Sequence, residues 1–249
     1  MTIWPMFVIR WLHKWFGLVL GLQFLLWAIS GATMALLDHH EVSGEHALLP
    51  VAEIAAPAQP LPLAAVAERV GGPLLKVQLK PLFTDYVYEA TTPAGVRLLD
   101  ATTGAPIVVD AARARALAVA RFSGDAPVHS VERVSETTLE TRDLALPVWR
   151  VEFADKDRST LLISEATGDV LDVKNDTWRL LDIAWMLHIM DYGERQSFNH
   201  PLIITLAFGG AWLALSGLIL LFRSFRRSDV RWLTAPFERL AARRARDRG

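Results

Sequence analysis

WRLLDIAWMLHIMDYGERQSFNHPLIITLAFGGAWLALSGLILLFR, residues 178–223, decides how this chain is built. It joins a short amphipathic segment carrying His188 to an apolar run that opens at His200-Pro201 and closes on Arg223. That run holds no charged residue between Pro201 and Phe222. At about 1.5 Å per residue it crosses a hydrocarbon core of roughly 30 Å. The pattern predicts a membrane-spanning helix over residues 200–223, with Pro201 suited to its first turn. The preceding segment, residues 176–192, falls short of the ~20 apolar residues of a span and carries Arg179 and Asp182. It reads as a helix lying along the membrane–water interface, capped by Asp176.

At the other end of the chain a second apolar run, Trp15 to Leu37, is broken only by Gln23, Ser30 and Thr33. A cleavage-like Ser30-Gly31-Ala32 raises the alternative of a signal peptide. The run is longer than the roughly 7–15 apolar residues of a signal segment, so residues 1–38 are expected to be a cytoplasmic stub and a first membrane helix. Arg10 and Lys14 flank the N-terminal end of that helix, and Arg223, Arg226, Arg227 and Arg231 flank the C-terminal end of the second. An excess of Lys and Arg on the cytoplasmic side places both termini inside, which two crossings satisfy and three do not. Residues 224–249, rich in Arg, then form a basic amphipathic cytoplasmic tail that suits anionic lipid.

Between the spans the composition turns to that of ordinary folded protein. Residues 39–62 are Ala- and Pro-rich beyond their first few positions and read as a linker. Two similar units follow, residues 63–109 and 110–175, each a short helix and then three strands. LLDATTGAPI in the first aligns with LLISEATGDVL in the second. In both turns Asp, Thr and Gly supply side-chain caps and a left-handed step, so Asp100 and Glu165 are turn formers before they are ligands. The expected fold is an α+β domain of two α-β-β-β repeats, anchored by two transmembrane helices plus an interfacial helix.

The composition excludes several functions. With 249 residues, a net charge of -1 and no concentration of basic residues outside the tail, the chain is no nucleic-acid binder. Cys is absent, which removes disulfides, thiolate clusters, covalent c-type haem and a Cys nucleophile. No HExxH, GxSxG, phosphate-cradling loop or Rossmann glycine pattern occurs. Any metal or haem therefore falls to His, Met, carboxylate or backbone.

His13, Gly17 and Gly21 recur every four residues on one helical face, and Ala207, Gly210, Ala211, Ala214 and Gly217 thin the second span. Such a face suits close helix packing or the approach of a flat cofactor. DHHEVSGEH, residues 38–46, collects His39, His40 and His46 with carboxylates in no defined metal spacing, and it also reads as a solvated helix end. Asp191, three residues beyond His188, stands where a carboxylate could orient an imidazole.

LPVWRVEF, then STLLISEATGDVLDV and a helix containing LH, resembles a PepSY domain. RWLHKWFGLVLGL with WAISGA, and LHIMDY, SFNHP and ALSGLILL, resemble the PepSY-associated transmembrane family over nearly the whole chain. The two repeats would then be PepSY-like.

Small residues and histidines on facing helices suit a six-coordinate b-type haem. The candidate ligands are His188 and His200 at the outer face, assisted by His39 or His40, with His13 a span away at the inner face. His13 would need a second chain, such as the partner in a homodimer or a larger membrane complex.

The resemblance extends to longer haem-containing siderophore ferric reductases. It implies a bacterial inner-membrane protein with its main domain in the periplasm, passing electrons from quinol through haem b to a ferric chelate or another acceptor. The alternative it leaves open is a non-enzymatic periplasmic PepSY module acting as an accessory subunit.

Overall fold

The computed structural model describes residues 4–51 and 53–224, so the basic tail lies outside the described residues. The chain forms two compact units, one built on the earlier part of the first helix and on the last helix, the other running from Ser30 to Gln196.

The first unit is a helix pair. Helix α1, Trp4–Leu36, reaches into this unit as far as Ile29, and α6, Pro201–Ser224, runs antiparallel to it. Both helices are long and apolar enough to cross a membrane. Most of that apolar surface is exposed, Leu18, Leu22, Phe208 and Leu215 among it, unlike the core helix of a soluble protein. Where the helices meet, the missing side chain of a glycine admits a large neighbour. A Cβ on Gly209 would lie 3.2 Å from Leu20, one on Gly210 would lie 3.5 Å from Phe24, and one on Gly17 would lie 3.6 Å from Leu213. Such sites let apolar helices pack by close contact where no hydrophobic effect drives them together.

The second unit opens with a short helix, α2 (His39–Ser43), and a 3-10 turn at Glu45–Ala47. Asp38 caps α2 by accepting from the His40 amide at 2.9 Å. The Ala- and Pro-rich stretch read as a linker is tied to the domain behind it. Leu49 exchanges backbone and side-chain hydrogen bonds with Arg121, Tyr86 donates to the Ile54 carbonyl and Tyr88 donates to that of Leu61.

Two α-β-β-β-β repeats follow. In the first, α3 (Leu63–Val70) precedes β1 (Lys76–Leu82), β2 (Asp85–Thr92), β3 (Gly95–Asp100) and β4 (Pro106–Ile107). In the second, α4 (Ala111–Arg121) precedes β5 (Val128–Val134), β6 (Val148–Phe153), β7 (Thr160–Ser164) and β8 (Val170–Lys174). Each sheet is an antiparallel meander in chain order. The sequence reading ended each repeat at its third strand. The structure adds β4 and β8, because the Gly104 and Gly168 turns reverse the chain and Ile107 returns to pair with Leu98, Lys174 with Thr160. Both glycines take the left-handed conformation, at φ of 71°.

The strands alternate faces and so create two cores. Tyr88, Ala90 and Leu99 turn to α3, against Val66 and Val70. Val87, Leu98 and Leu82 turn the other way, into a core shared with α4 and with Val151, Phe153, Leu161 and Ile163 of the second sheet. The rings of Phe122 and Phe153 stack there at 3.9 Å between centroids. Fully burying side chains of this size contributes about 1.5–3 kcal/mol each, and the central ones come from both repeats. The two repeats therefore make one body.

A buried cation fastens the joint. The Lys80 ammonium on β1 sits 2.6 Å from Glu89 on β2 and 2.7 Å from Asp169, and it donates to the Thr167 carbonyl at 3.1 Å. Beside it, a Cβ on Gly168 would strike Leu82 at 2.8 Å. Removing one member of a buried ion cluster strands the others, at a cost of about 3 kcal/mol. Lys80→Met is expected to lower unfolding stability of the detergent-solubilised protein by that order in a urea titration; an unchanged midpoint would show that the clasp is dispensable.

Candidate functional site

Two of the candidate histidines are held in the same way, one in each unit. His13 on α1 places Nδ1 2.8 Å from the hydroxyl of Ser216 on α6, which is buried. The ring edge lies over the next residue, since a Cβ on Gly217 would come within 3.1 Å of His13 Cε1. The hydroxyl has one proton, and it donates that proton to the Leu213 carbonyl at 3.1 Å. A serine that gives its proton to that carbonyl can accept from Nδ1, the arrangement that would leave Nε2 free for a ligand. A hydrogen-bond partner at one ring nitrogen is how ligating histidines are commonly oriented.

His188 stands near the end of α5 (Asp176–Ile189), with Nδ1 3.2 Å from the hydroxyl of buried Ser30. Here too the glycine after the serine receives the ring, a Cβ on Gly31 falling 3.3 Å from His188 Cε1. Each imidazole thus docks on a Ser-Gly step of a helix. The sequence reading gave these serines no role, although WAISGA and ALSGLILL carry the same dipeptide within otherwise apolar runs.

Helix α5 owes its position to charge. Asp182 is buried and bonded by Arg142 at 2.8 Å and by Arg195. Arg179 reaches Glu140 at 2.9 Å and the Thr160 hydroxyl of β7 at 3.1 Å, and Glu140 also binds Arg150 of β6. Arg179 and Asp182, the charges that weigh against a span in the sequence, are paired with Glu140, Arg142 and Arg195. Leu180 and Ile183 are the exposed residues of this helix. The cap also differs from expectation. Asn175 accepts from the Trp178 amide at 2.7 Å and is the N-terminal cap, because Asp176 is drawn sideways to Arg158 and Arg179. The Asp191 carboxylate accepts from the backbone amides of Gly193, Glu194 and Gln196 and so folds the following loop.

The other candidates are placed differently. His200 precedes α6 and accepts through its carbonyl from the Ile204 amide at 3.3 Å. Ser216 lies sixteen residues further along that helix, so His13 and His200 are separated by ~24 Å along its axis. His39 and His40 are exposed on α2. The ring of His40 is 5.8 Å from that of His46, and His46 leans towards Glu41 at 3.7 Å. Among the described residues no group of three or more His, Asp or Glu side chains is arranged to hold a metal ion. Asp100 behaves as the expected turn former, accepting from the Thr102 and Thr103 amides, whereas Glu165 pairs with Arg133 and the Ser164 hydroxyl accepts from the Thr167 amide in the second turn.

The donors fit a haem, since His13 and His188 are each braced at Nδ1 by a serine. The α1–α6 seam does not fit, because Leu20, Phe24, Leu213 and His13 itself already fill the glycine gaps read as clearance for a flat ring. A porphyrin beside His13 needs a wall from outside this helix pair.

The carboxyl group of Asp176 is held below the usual range of about 4 by the hydrogen bond from Arg158, helped by Arg179. A depressed folded value gives stabilisation that is present above the unfolded value and lost as pH falls through the folded one. Asp176→Asn is therefore expected to be less stable than the parent at pH 7, with the difference closing below about pH 4. Thermal unfolding across that range checks it; a gap that stays constant would refute the assignment.

Comparison with curated proteins gives no match, and comparison with solved structures gives none. The profile of the family described as PepSY-associated TM region matches residues 10–248. That match takes in both apolar helices, both repeats and every candidate histidine. The chain is a membrane protein of the PepSY-associated transmembrane family.

Proposed function

We propose that this protein is a bacterial inner-membrane electron-transfer subunit that holds b-type haem through His13 and His188, with His200 as a further ligand, and serves reduction of a ferric chelate at the periplasmic face. The observation that carries this reading is the seat of His13 on Ser216, with Nδ1 2.8 Å from the hydroxyl. In this reading the Ser216 hydroxyl gives its proton to the Leu213 carbonyl and accepts from Nδ1, which leaves the imidazole lone pair at Nε2, the form a metal requires. An imidazole in a membrane helix has few structural reasons to be kept, and the brace at Nδ1 answers a ligand's need for a set direction.

When bound, the haem would supply one-electron chemistry between its ferric and ferrous states. The chain's own contributions are separate from that chemistry. Ser216 and Ser30 set the imidazole orientations, and Gly217 and Gly31 let the rings lie close to the helices. The Asp182 ion cluster fixes α5, and with it His188. The exposed Leu180 and Ile183 suit α5 to a membrane–water boundary whose charged side is supplied by protein. In this reading the missing wall at His13, beside the closed α1–α6 seam, comes from a second copy of the chain or from a partner subunit. Both termini lie in the cytoplasm in this reading, and the two repeats, PepSY-like in their order of elements, stand in the periplasm.

The same closed seam favours one other reading, a non-enzymatic accessory subunit in which His13 and His188 only fasten helices. Absorption spectra of protein purified from haem-replete cells, before and after dithionite, separate the two. Sharp reduced b-type bands are expected, weakened at least severalfold in His13→Ala and His188→Ala. A colourless, folded preparation would leave the accessory reading. A periplasm-active reporter fused after Gly249 is expected to be silent, and an active one would overturn the topology.

A further inference from the structure

A cavity of about 780 Å³ opens along the first repeat, with Glu165 and Ala166 of the second repeat at its side and no candidate histidine in its lining. Its floor and one wall are apolar, formed by Val96, Leu98, Ile107 and Val109. Arg69 and Arg97 also line it. The volume lies in the range of small-ligand pockets, and an apolar lining with a few convergent polar groups is their usual composition.

The arginines carry unneutralised charge. The Arg69 side chain lies directly over Gly104, where a Cβ would meet its Cδ at 2.7 Å and Cζ at 2.6 Å, so the turn has been left bare beneath it. Arg97 donates one N–H to the Val70 carbonyl at 3.0 Å, which orients the guanidinium and leaves its remaining donors for other use. Neither arginine forms an ion pair among the described residues, and the nearby acids are already engaged. Asp100 accepts from Thr102 and Thr103, and Glu165 binds Arg133.

The backbone adds a second kind of recognition. Strand β4 covers β3 only at Leu98 and Leu99. The Asp100 amide donates to the Ala105 carbonyl, so alternate residues along β3 direct their N–H and C=O to this same edge. Two steps on, Val96 therefore presents an amide and a carbonyl to the cavity beyond the end of β4. Among the described residues no strand pairs with it there.

We propose that this cavity binds the C-terminal end of an extended apolar peptide. Its terminal carboxylate is met by Arg69 and Arg97, its backbone pairs with Val96 to continue β4, and its side chains rest on Leu98 and Ile107. Each part answers one feature of the site: charge for the arginines, an amide for the open edge and apolar side chains for the floor. The site is independent of haem, so it stands or falls separately from the electron-transfer reading.

Fluorescence polarisation with the intact protein in nanodiscs tests it, using the N-terminally labelled tetrapeptide Ser-Val-Ala-Val as free acid and as C-terminal amide. Saturable binding of the acid is expected, weaker by about tenfold or more for the amide and by a similar factor in Arg69→Gln and Arg97→Gln. Both arginines are exposed, so the variants are expected to melt like the parent. Equal binding of acid and amide, no saturable binding of the acid, or arginine variants that bind as the parent does would each overturn the proposal. Displacement of the peptide by decanoate at matching concentration would do so as well, by showing that a simple anionic amphiphile is the occupant.

Discussion

The chain is held together at places where a side chain is missing. A glycine on one element leaves a gap one methyl group wide, and a specific neighbour fills it: His13 at Gly217, His188 at Gly31, Leu82 at Gly168. In an apolar helix pair this is a strong source of register, since lipid competes equally for every other contact. Once Leu20 sits on Gly209 and Leu213 on Gly17, His13 can meet only Ser216. The chemistry of the imidazole thus follows from the packing of the helices around it.

Charge does in the second unit what glycine does in the first. Helix α5 has its polar side turned inward, where Arg179 and Asp182 meet Glu140, Arg142 and Arg195, and its exposed side is apolar. This inverts the arrangement of a helix on a soluble core. Buried ion pairs add little net stability over apolar packing, yet they tolerate only one geometry. A helix whose outer face favours lipid or another chain needs such a fixed inner face to keep its histidine in place.

Much of this was legible in the residues. The apolar runs, the two repeats and the left-handed turns at Gly104 and Gly168 follow from local rules of length, alternation and backbone sterics. The fourth strands escaped because Pro106–Ile107 is only two residues long and Val170–Lys174 follows a turn without an apolar run of its own. The cap of α5 was misplaced by one residue, since Asn and Asp stand side by side and only the distant Arg158 decides between them. Ser30 and Ser216 were missed for a related reason. A serine in a span satisfies its own hydroxyl on the preceding turn, and nothing local announces a histidine more than 150 residues away. The histidines themselves were visible, but the clearance read beside His13 was not clearance, because the pattern of small residues cannot say what fills it.

The short helix after the first span carries a consequence for biosynthesis. Gly44 seats against Val173, and the Glu41 carbonyl accepts from the Asn175 side chain at 2.7 Å, so the start of the domain is completed by its last strand. The two partners are 134 positions apart, and all of that chain must be made before the closure can form. Loop entropy grows only slowly with such a length, but the contact cannot precede synthesis of its partner. The first apolar helix is therefore made long before the domain beside it can close, and the nascent chain passes through a stage in which both repeats share an unfinished core. Contacts of this sequence range slow folding and lengthen the exposure of that core.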